Sequence, residues 1–239
     1  MRHIVVTGGN KGLGLAQTRQ FLSLGDHVHV VSRSRGDLDG LPQERLSHYE
    51  VDLANWRDTD WLDEIHGKAG HIDGLVNNAG VNFRKPVWDT GADEFDHLLG
   101  VNVKAMFMAS GRYIALEMEH GGNIVNISSM GGLAALRNAA AYVTSKTAVI
   151  GLTRAIAGDA RSLNFRCNAV CPGFVETNMT RTAFKADPAR YDQIVGRIPS
   201  HRMGTSAEIA AAVAWLVSDD SAYVNGVALP VDDGYAIAT

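Results

Sequence analysis

The chain has 239 residues, long enough for one well-buried domain and short for two, and its 46% apolar and 20% charged residues are ordinary for a globular protein. A formal charge of −4 gives no argument for a nucleic-acid or anionic-membrane partner, and no stretch approaches the ~20 apolar residues of a membrane span. The short apolar run after Met1, Arg2 and His3 meets glycines at once, unlike a signal peptide, and Cys167 and Cys171 lack further ligands at metal-binding spacing, so no metal is expected and they read as packed thiols of a cytoplasmic protein.

Stretches rich in Val and Ile, bounded by Gly, Asp, Asn or Pro, predict strands at 3–7, 27–32, 48–51, 72–77, 123–128, 166–171 and 227–231. Helical patterns fall between most of them, at 13–24, 56–66, 92–119, 139–163 and 206–217. Alternation of this kind implies right-handed crossovers and an α/β fold: one doubly wound domain over 1–239, a seven-stranded parallel sheet with helices on both faces. Its ligand belongs beyond the carboxyl ends of the strands.

The first strand runs into Thr7-Gly8-Gly9-Asn10-Lys11-Gly12-Leu13-Gly14 and then a helix. Glycines let backbone N–H groups approach a phosphate, and the helix start adds unpaired donors with a partial positive charge. The second strand ends at Ser32 and Arg33, where a carboxylate would mark NAD(H). Arg33 instead offers a guanidinium fork and Ser32 a hydroxyl, both suited to a 2′-phosphate. Ser128-Ser129 close the fifth strand, and Tyr142 and Lys146 follow on a helix, four apart and so one turn from each other on one face. A free tyrosine, with a pKa near ~10, is a poor base at neutral pH. A neighbouring ammonium and a cationic oxidised nicotinamide would favour its phenolate, so that it can exchange a proton with an alcohol or carbonyl.

The loop spacing resembles the Thr-Gly-x3-Gly-x-Gly signature of the short-chain dehydrogenases/reductases, and further motifs agree in order over residues 3 to 234. Asn77-Asn78-Ala79-Gly80 resembles the element that supports the sheet beside the cofactor. Pro172-Gly173-Phe174-Val175-Glu176-Thr177 resembles the segment near the nicotinamide, and Asp52-Leu53 the pair flanking the adenine. Lys11 is similar to the basic residue of NADPH-preferring members. The resemblance implies a Rossmann-type NADP(H) site with Tyr142 as acid/base, Ser129 holding the substrate oxygen, Lys146 also binding the nicotinamide ribose, and Asn102 steadying a water that links Lys146 to solvent. It implies cofactor contacts at Gly8, Asn10, Lys11, Gly12, Leu13, Gly14, Ser32, Arg33, Asp52, Leu53, Asn78, Ala79, Gly80, Tyr142, Lys146, Pro172, Gly173, Val175 and Thr177.

Residues 178–202 resemble the family's substrate-covering segment and carry Arg181, Lys185, Arg190, Arg197, Arg202 and His201, while Arg84, Lys85 and Arg137 lie in other loops that could border the same cleft. A polar or anionic substrate, such as a sugar acid or a carrier-bound ketoacyl group, is one reading; the plainer one is a solvated loop whose arginines serve folding. Residues 147–153 are uncharged on every side, and 105–109 form a second apolar patch. Both suggest buried outer faces, and the resemblance implies a homodimer or homotetramer. The expected activity is hydride transfer between NADP(H) and a small carbonyl or secondary-alcohol substrate. Rivals are an NAD(H)-linked alcohol or sugar-acid dehydrogenase, a non-catalytic dinucleotide-sensing regulator, and a lyase, which should lack the glycine loop. Asp233 stands where many relatives have glycine.

Overall fold

Strand β1 (His3–Thr7) decides the layering: Ile4 and Val6 enter one apolar cluster and Val5 another, on opposite faces of the sheet, and all three are fully buried. The computed structural model describes residues 1–177, 180, 184–185 and 187–237. β1 pairs in parallel with β2 (His27–Ser32), which pairs with β3 (Leu46–Glu50). On its other side β1 pairs with β4 (Gly74–Asn77), followed by β5 (Gly122–Ile127) and β6 (Phe165–Pro172). A small parallel pair, β7 (Val175–Glu176) with β8 (Gly204–Thr205), precedes β9 (Ala228–Val231), which closes the main sheet against β6. The seven-stranded order β3-β2-β1-β4-β5-β6-β9 reverses direction between β1 and β4, the switch point of a doubly wound fold.

Helices α1 (Gly12–Ser23) and α7 (Ser206–Val217) cover the Ile4/Val6 face through Leu15, Phe21, Ile209 and Val213. The opposite face is covered by α2 (Asp60–Ala69), α4 (Ala105–Leu116) and α5 (Ala140–Asp159), through Leu62, Ile65, Tyr113 and Ala157.

Three helices depart from the expected spans: the 139–163 helix is α5, which stops at Asp159 and gives way to a short tighter turn at Arg161–Leu163 that ends on Asn164 with a left-handed φ of +57°. α2 starts four residues late because the Asp58 carboxylate accepts from the Asp60 N–H group, holding a turn where the helix was expected. The expected 92–119 helix is α3 (Ala92–Leu99), a π-helical stretch at Gly100–Lys104, then α4. Such π insertions recur at functional sites, and this one carries Asn102. The 178–202 segment, read as a covering loop, contains α6 (Pro188–Arg197). Arg181 lies outside the described residues.

Candidate active site

The switch point is stitched together by Thr7 and Asn78. Thr7 Oγ1 accepts from the Asn78 and Ala79 N–H groups at 2.9 and 3.0 Å, and Asn78 Nδ2 donates to the Thr7 carbonyl at 2.9 Å. The glycine loop then turns so tightly that a Cβ on Gly14 would sit 2.1 Å from the Gly8 carbonyl oxygen. Gly8 and Gly12 have φ of +65° and +55°, the left-handed region, and a Cβ on Gly12 would meet nothing within 4 Å. α1 begins with no side-chain cap and no acidic residue in its first turn. By contrast, α7 has both ends of a capping box, Thr205 and Glu208. An open cradle at an uncapped helix start, with Leu13 packed on the core below, fits a pyrophosphate.

Asn10 docks the turn after β2 onto this loop. Its Nδ2 donates to the Ser34 carbonyl at 2.9 Å, its own carbonyl accepts from Asp37 N–H at 3.1 Å, and a Cβ on Gly36 would lie 2.8 Å from that carbonyl. Arg33 and Lys11 are both exposed here, and neither has a hydrogen-bond or ionic partner among the described residues. Ser32 differs from the expectation of a free donor. Its buried hydroxyl donates to the Ser34 carbonyl at 2.9 Å and meets His48 Nε2 at 3.0 Å, so its proton is already committed. Asp52 spends one oxygen on Ala54 N–H, and Leu53 packs against the core beside it.

At the carboxyl end of β5 the two serines separate. Ser128 Oγ donates to the Lys146 carbonyl at 2.8 Å, fastening α5 to the sheet. Ser129 Oγ accepts from Gly131 N–H at 3.0 Å and keeps its proton available. α5 brings Tyr142 and Lys146 to the same place. Lys146 is buried, its Nζ lies 5.8 Å from the Tyr142 ring centre, and it donates to the Ile127 carbonyl at 2.8 Å. Burial lowers the Lys146 ammonium from 10.5 to about 8. Burial also raises the Tyr142 phenol above its ordinary value, opposed by a hydrogen-bonding interaction with Ser129. The lowering expected from the sequence calls for the ammonium and the oxidised nicotinamide together, and in the protein alone burial outweighs the Ser129 hydrogen bond.

Asn102, fully buried in the π stretch, accepts from Val81 N–H at 2.8 Å and donates to the Val81 carbonyl and to Ser145 Oγ. It ties the segment after Gly80 to α5, and a Cβ on Gly80 would lie 3.6 Å from Lys146 Nζ. Beyond β6, Gly173 is pressed on Asp232, where a Cβ would approach to 2.6 Å, so Pro172-Gly173 is fixed by the C-terminal turn. Val175 is buried, and the Thr177 N–H donates to Thr180 Oγ1 at 2.8 Å. Asp233 takes a left-handed φ of +52° and accepts from Ser200 N–H, which joins the C-terminal turn to the 198–203 segment.

The arginines that the sequence left between two readings come together here, while a second cluster was not signalled in the sequence at all. Four arginines from three segments, Arg84, Arg137, Arg190 and Arg197, line one cleft of about 490 Å³. Just before the amino end of β4 the buried Glu117 accepts from His66, His71 and Ile72 N–H, and His120 lies nearby. His71, Glu117 and His120 are the one group of described residues with ligand atoms close enough for a metal ion. Their positions are too far apart in sequence for spacing to reveal. Cys167 and Cys171 are free and buried, and burial pushes the Cys167 thiol up to about 12. Among the described residues no helix is long and apolar enough to cross a membrane.

A family model described as enoyl-(acyl carrier protein) reductase matches residues 8–236. The 2-(R)-hydroxypropyl-CoM dehydrogenase of Xanthobacter autotrophicus is 36% identical, with 98% of each chain covered. Among solved structures, ElxO with NADP bound is similar at a TM-score of 0.92 and 28% identity, covering 98% of each chain. The 4-hydroxyisoleucine dehydrogenase complexed with NADH is similar at 0.91 and 29%, also over 98% of each.

Proposed function

Because the chain belongs to the short-chain dehydrogenase/reductase family, we propose that it is an NADP(H)-dependent reductase that interconverts a small ketone and its secondary alcohol. The observation that carries this reading is the assembly at the end of β5: the Tyr142 phenol over the buried Lys146 amine, with the Ser129 hydroxyl beside it. When bound, the nicotinamide carries the hydride, and in its oxidised form adds a positive charge that favours the phenolate. The glycine cradle would hold its pyrophosphate, Lys11 and Arg33 the 2′-phosphate, Asp52 and Leu53 the adenine side, and Asn78 to Gly80, Pro172, Gly173, Val175 and Thr177 the nicotinamide side.

In reduction, Ser129 Oγ donates a hydrogen bond to the carbonyl oxygen and Tyr142 Oη delivers the proton to it. In oxidation the same oxygen of Tyr142 takes the proton back. Lys146, poised near neutral pH by burial, stabilises the phenolate and passes the proton onward. Asn102 is a positioning residue: its side chain holds the 81 segment and Ser145 in place, so a water linking Lys146 to solvent would be held by its backbone.

Two lesser proposals accompany the activity. Phe107 on α4 is 61% exposed, and Gly111 and Gly151 present open surface on α4 and α5, which supports pairing of copies through these helices. The two unpaired thiols support a reducing, cytoplasmic setting. Following nicotinamide absorbance with NADPH or NADH against a panel of ketones, aldehydes and sugars tests the reading. Turnover with NADPH on a ketone is expected; oxidation of no alcohol and reduction of no carbonyl would overturn it.

A further inference from the structure

α6 forms because Asp187 caps it, accepting from Arg190 N–H at 3.1 Å, and Pro188 fills its first turn. Its residues 190, 193, 194 and 197 stand at i, i+3, i+4 and i+7, one stripe of the helix. Arg190, Gln193, Ile194 and Arg197 all line the cleft of about 490 Å³, and Arg84 and Arg137 line it from other segments. Phe174 and Tyr235 contribute apolar surface.

The charge of this lining is one-sided. It includes four arginines and no acidic side chain. Of the other cations in these segments, Lys85 is neutralised by Glu94 and Arg202 by Glu208. Arg137, Arg190 and Arg197 pair with no carboxylate among the described residues. Arg190 lies over the Phe184 ring at 5.5 Å and Arg197 over the Tyr235 ring at 4.8 Å, so aromatic faces hold both guanidinium groups. Arg84 donates to the Arg137 carbonyl at 3.3 Å, joining the two loops. Like charges gathered in one cleft repel, and a counter-charge entering it relieves that cost.

The segments that line the cleft lead directly into those that carry Ser129 and Tyr142. Leu136 packs with Met130, the residue after Ser129, and Asn138 stands two residues before α5, whose first turn carries Tyr142. We propose that this cleft is an anion subsite, and that the substrate carries a carboxylate, sulfonate or phosphate remote from the reacting carbon, read by Arg137, Arg190 and Arg197. The proposal deepens the oxidoreductase reading above and rests on it for the identity of the reacting carbon. The guanidinium forks match oxyanion geometry, and a tail held there leaves the carbonyl free to reach Ser129 and Tyr142.

Calorimetry with glutarate, propanesulfonate and neutral glutaramide tests the subsite without turnover. The wild type is expected to bind both anions and not glutaramide, and Arg190→Met with Arg197→Met to weaken anion binding about ten- to a hundredfold, as lost charged hydrogen bonds do. Should the double variant fail to fold, as judged by circular dichroism, Arg137→Met, in a loop, carries the same test. In turnover, a ketone bearing a carboxylate is expected to exceed its methyl ester in kcat/KM through KM, with the ratio falling toward one in the variants. Equal binding of glutarate and glutaramide by the wild type, or anion affinity unmoved by the substitutions, overturns the subsite. Selective anion binding by a protein that turns over no carbonyl or alcohol overturns the oxidoreductase reading instead.

Discussion

Lys146 Nζ lies 5.8 Å from the centre of the Tyr142 ring yet gives its 2.8 Å hydrogen bond to the Ile127 carbonyl rather than to the phenol. The amine is thus buried at a cost to folding. Its pKa falls on folding from 10.5 to about 8, so the folded protein binds that proton more weakly than the unfolded chain. The penalty is full below about 8 and fades as pH rises toward 10.5. Lys146→Met removes a penalty of at most about 3 kcal/mol, partly offset by an Ile127 carbonyl left without its donor. Its melting temperature at neutral pH should equal or exceed that of the wild type while turnover collapses. A variant that melts far below the wild type would contradict this.

The proposed preference for NADP(H) assigns the 2′-phosphate to two exposed cations, Lys11 and Arg33. Arg33→Asp combined with Lys11→Ala should move the ratio of kcat/KM for NADPH over NADH by about a hundredfold toward NADH, as expected for lost charge-assisted hydrogen bonds. Ser32→Ala should barely alter that ratio, because its hydroxyl is already committed to Ser34 and His48. A wild type indifferent to the 2′-phosphate would remove the assignment.

The two loop glycines should respond differently. Gly14→Ala drives a Cβ to 2.1 Å from the Gly8 carbonyl, a backbone overlap that costs about 3 kcal/mol and distorts the cradle. Gly12→Ala meets nothing within 4 Å and carries only the strain of a left-handed φ, about 1 kcal/mol, or roughly 2–4 °C of melting temperature in a chain of this size. Thermal melts and dinucleotide titrations should show Gly14→Ala losing both fold stability and binding, and Gly12→Ala melting near the wild type.

What was legible in the sequence was local. β1 and its glycine loop, the Tyr142/Lys146 pair and the serines at the end of β5 are set by contiguous residues and helical period. What was hidden depends on contacts between distant segments. His48 meets Ser32, Glu94 neutralises Lys85, and Glu208 neutralises Arg202, while Arg190 and Arg197 keep no such partner among the described residues. No period announces those differences, so the basic residues near the 178–202 segment looked equivalent. The π stretch around Asn102 was also invisible, because it lies inside a longer helical pattern and is fixed by contacts with Val81 and Ser145. The Asp187-Pro188 start of α6 was a readable signal, overlooked because the surrounding charges suggested a loop.

Assembly should depend on the α4 and α5 faces. Phe107→Glu places a charge on a side chain that is 61% exposed and should shift light scattering from a multiple of the chain mass to the monomer. A wild type that scatters as a monomer would dismiss pairing through this face.

The claim on which the mechanism turns is that Tyr142 moves the substrate proton. Tyr142→Phe keeps the ring and removes only the hydroxyl, so its NADPH affinity, read by fluorescence titration, should stay near that of the wild type. Its kcat on a ketone that the wild type reduces should fall by about 10³-fold or more, the scale of a lost general acid. Near-normal kcat in Tyr142→Phe, with cofactor bound, would contradict the account.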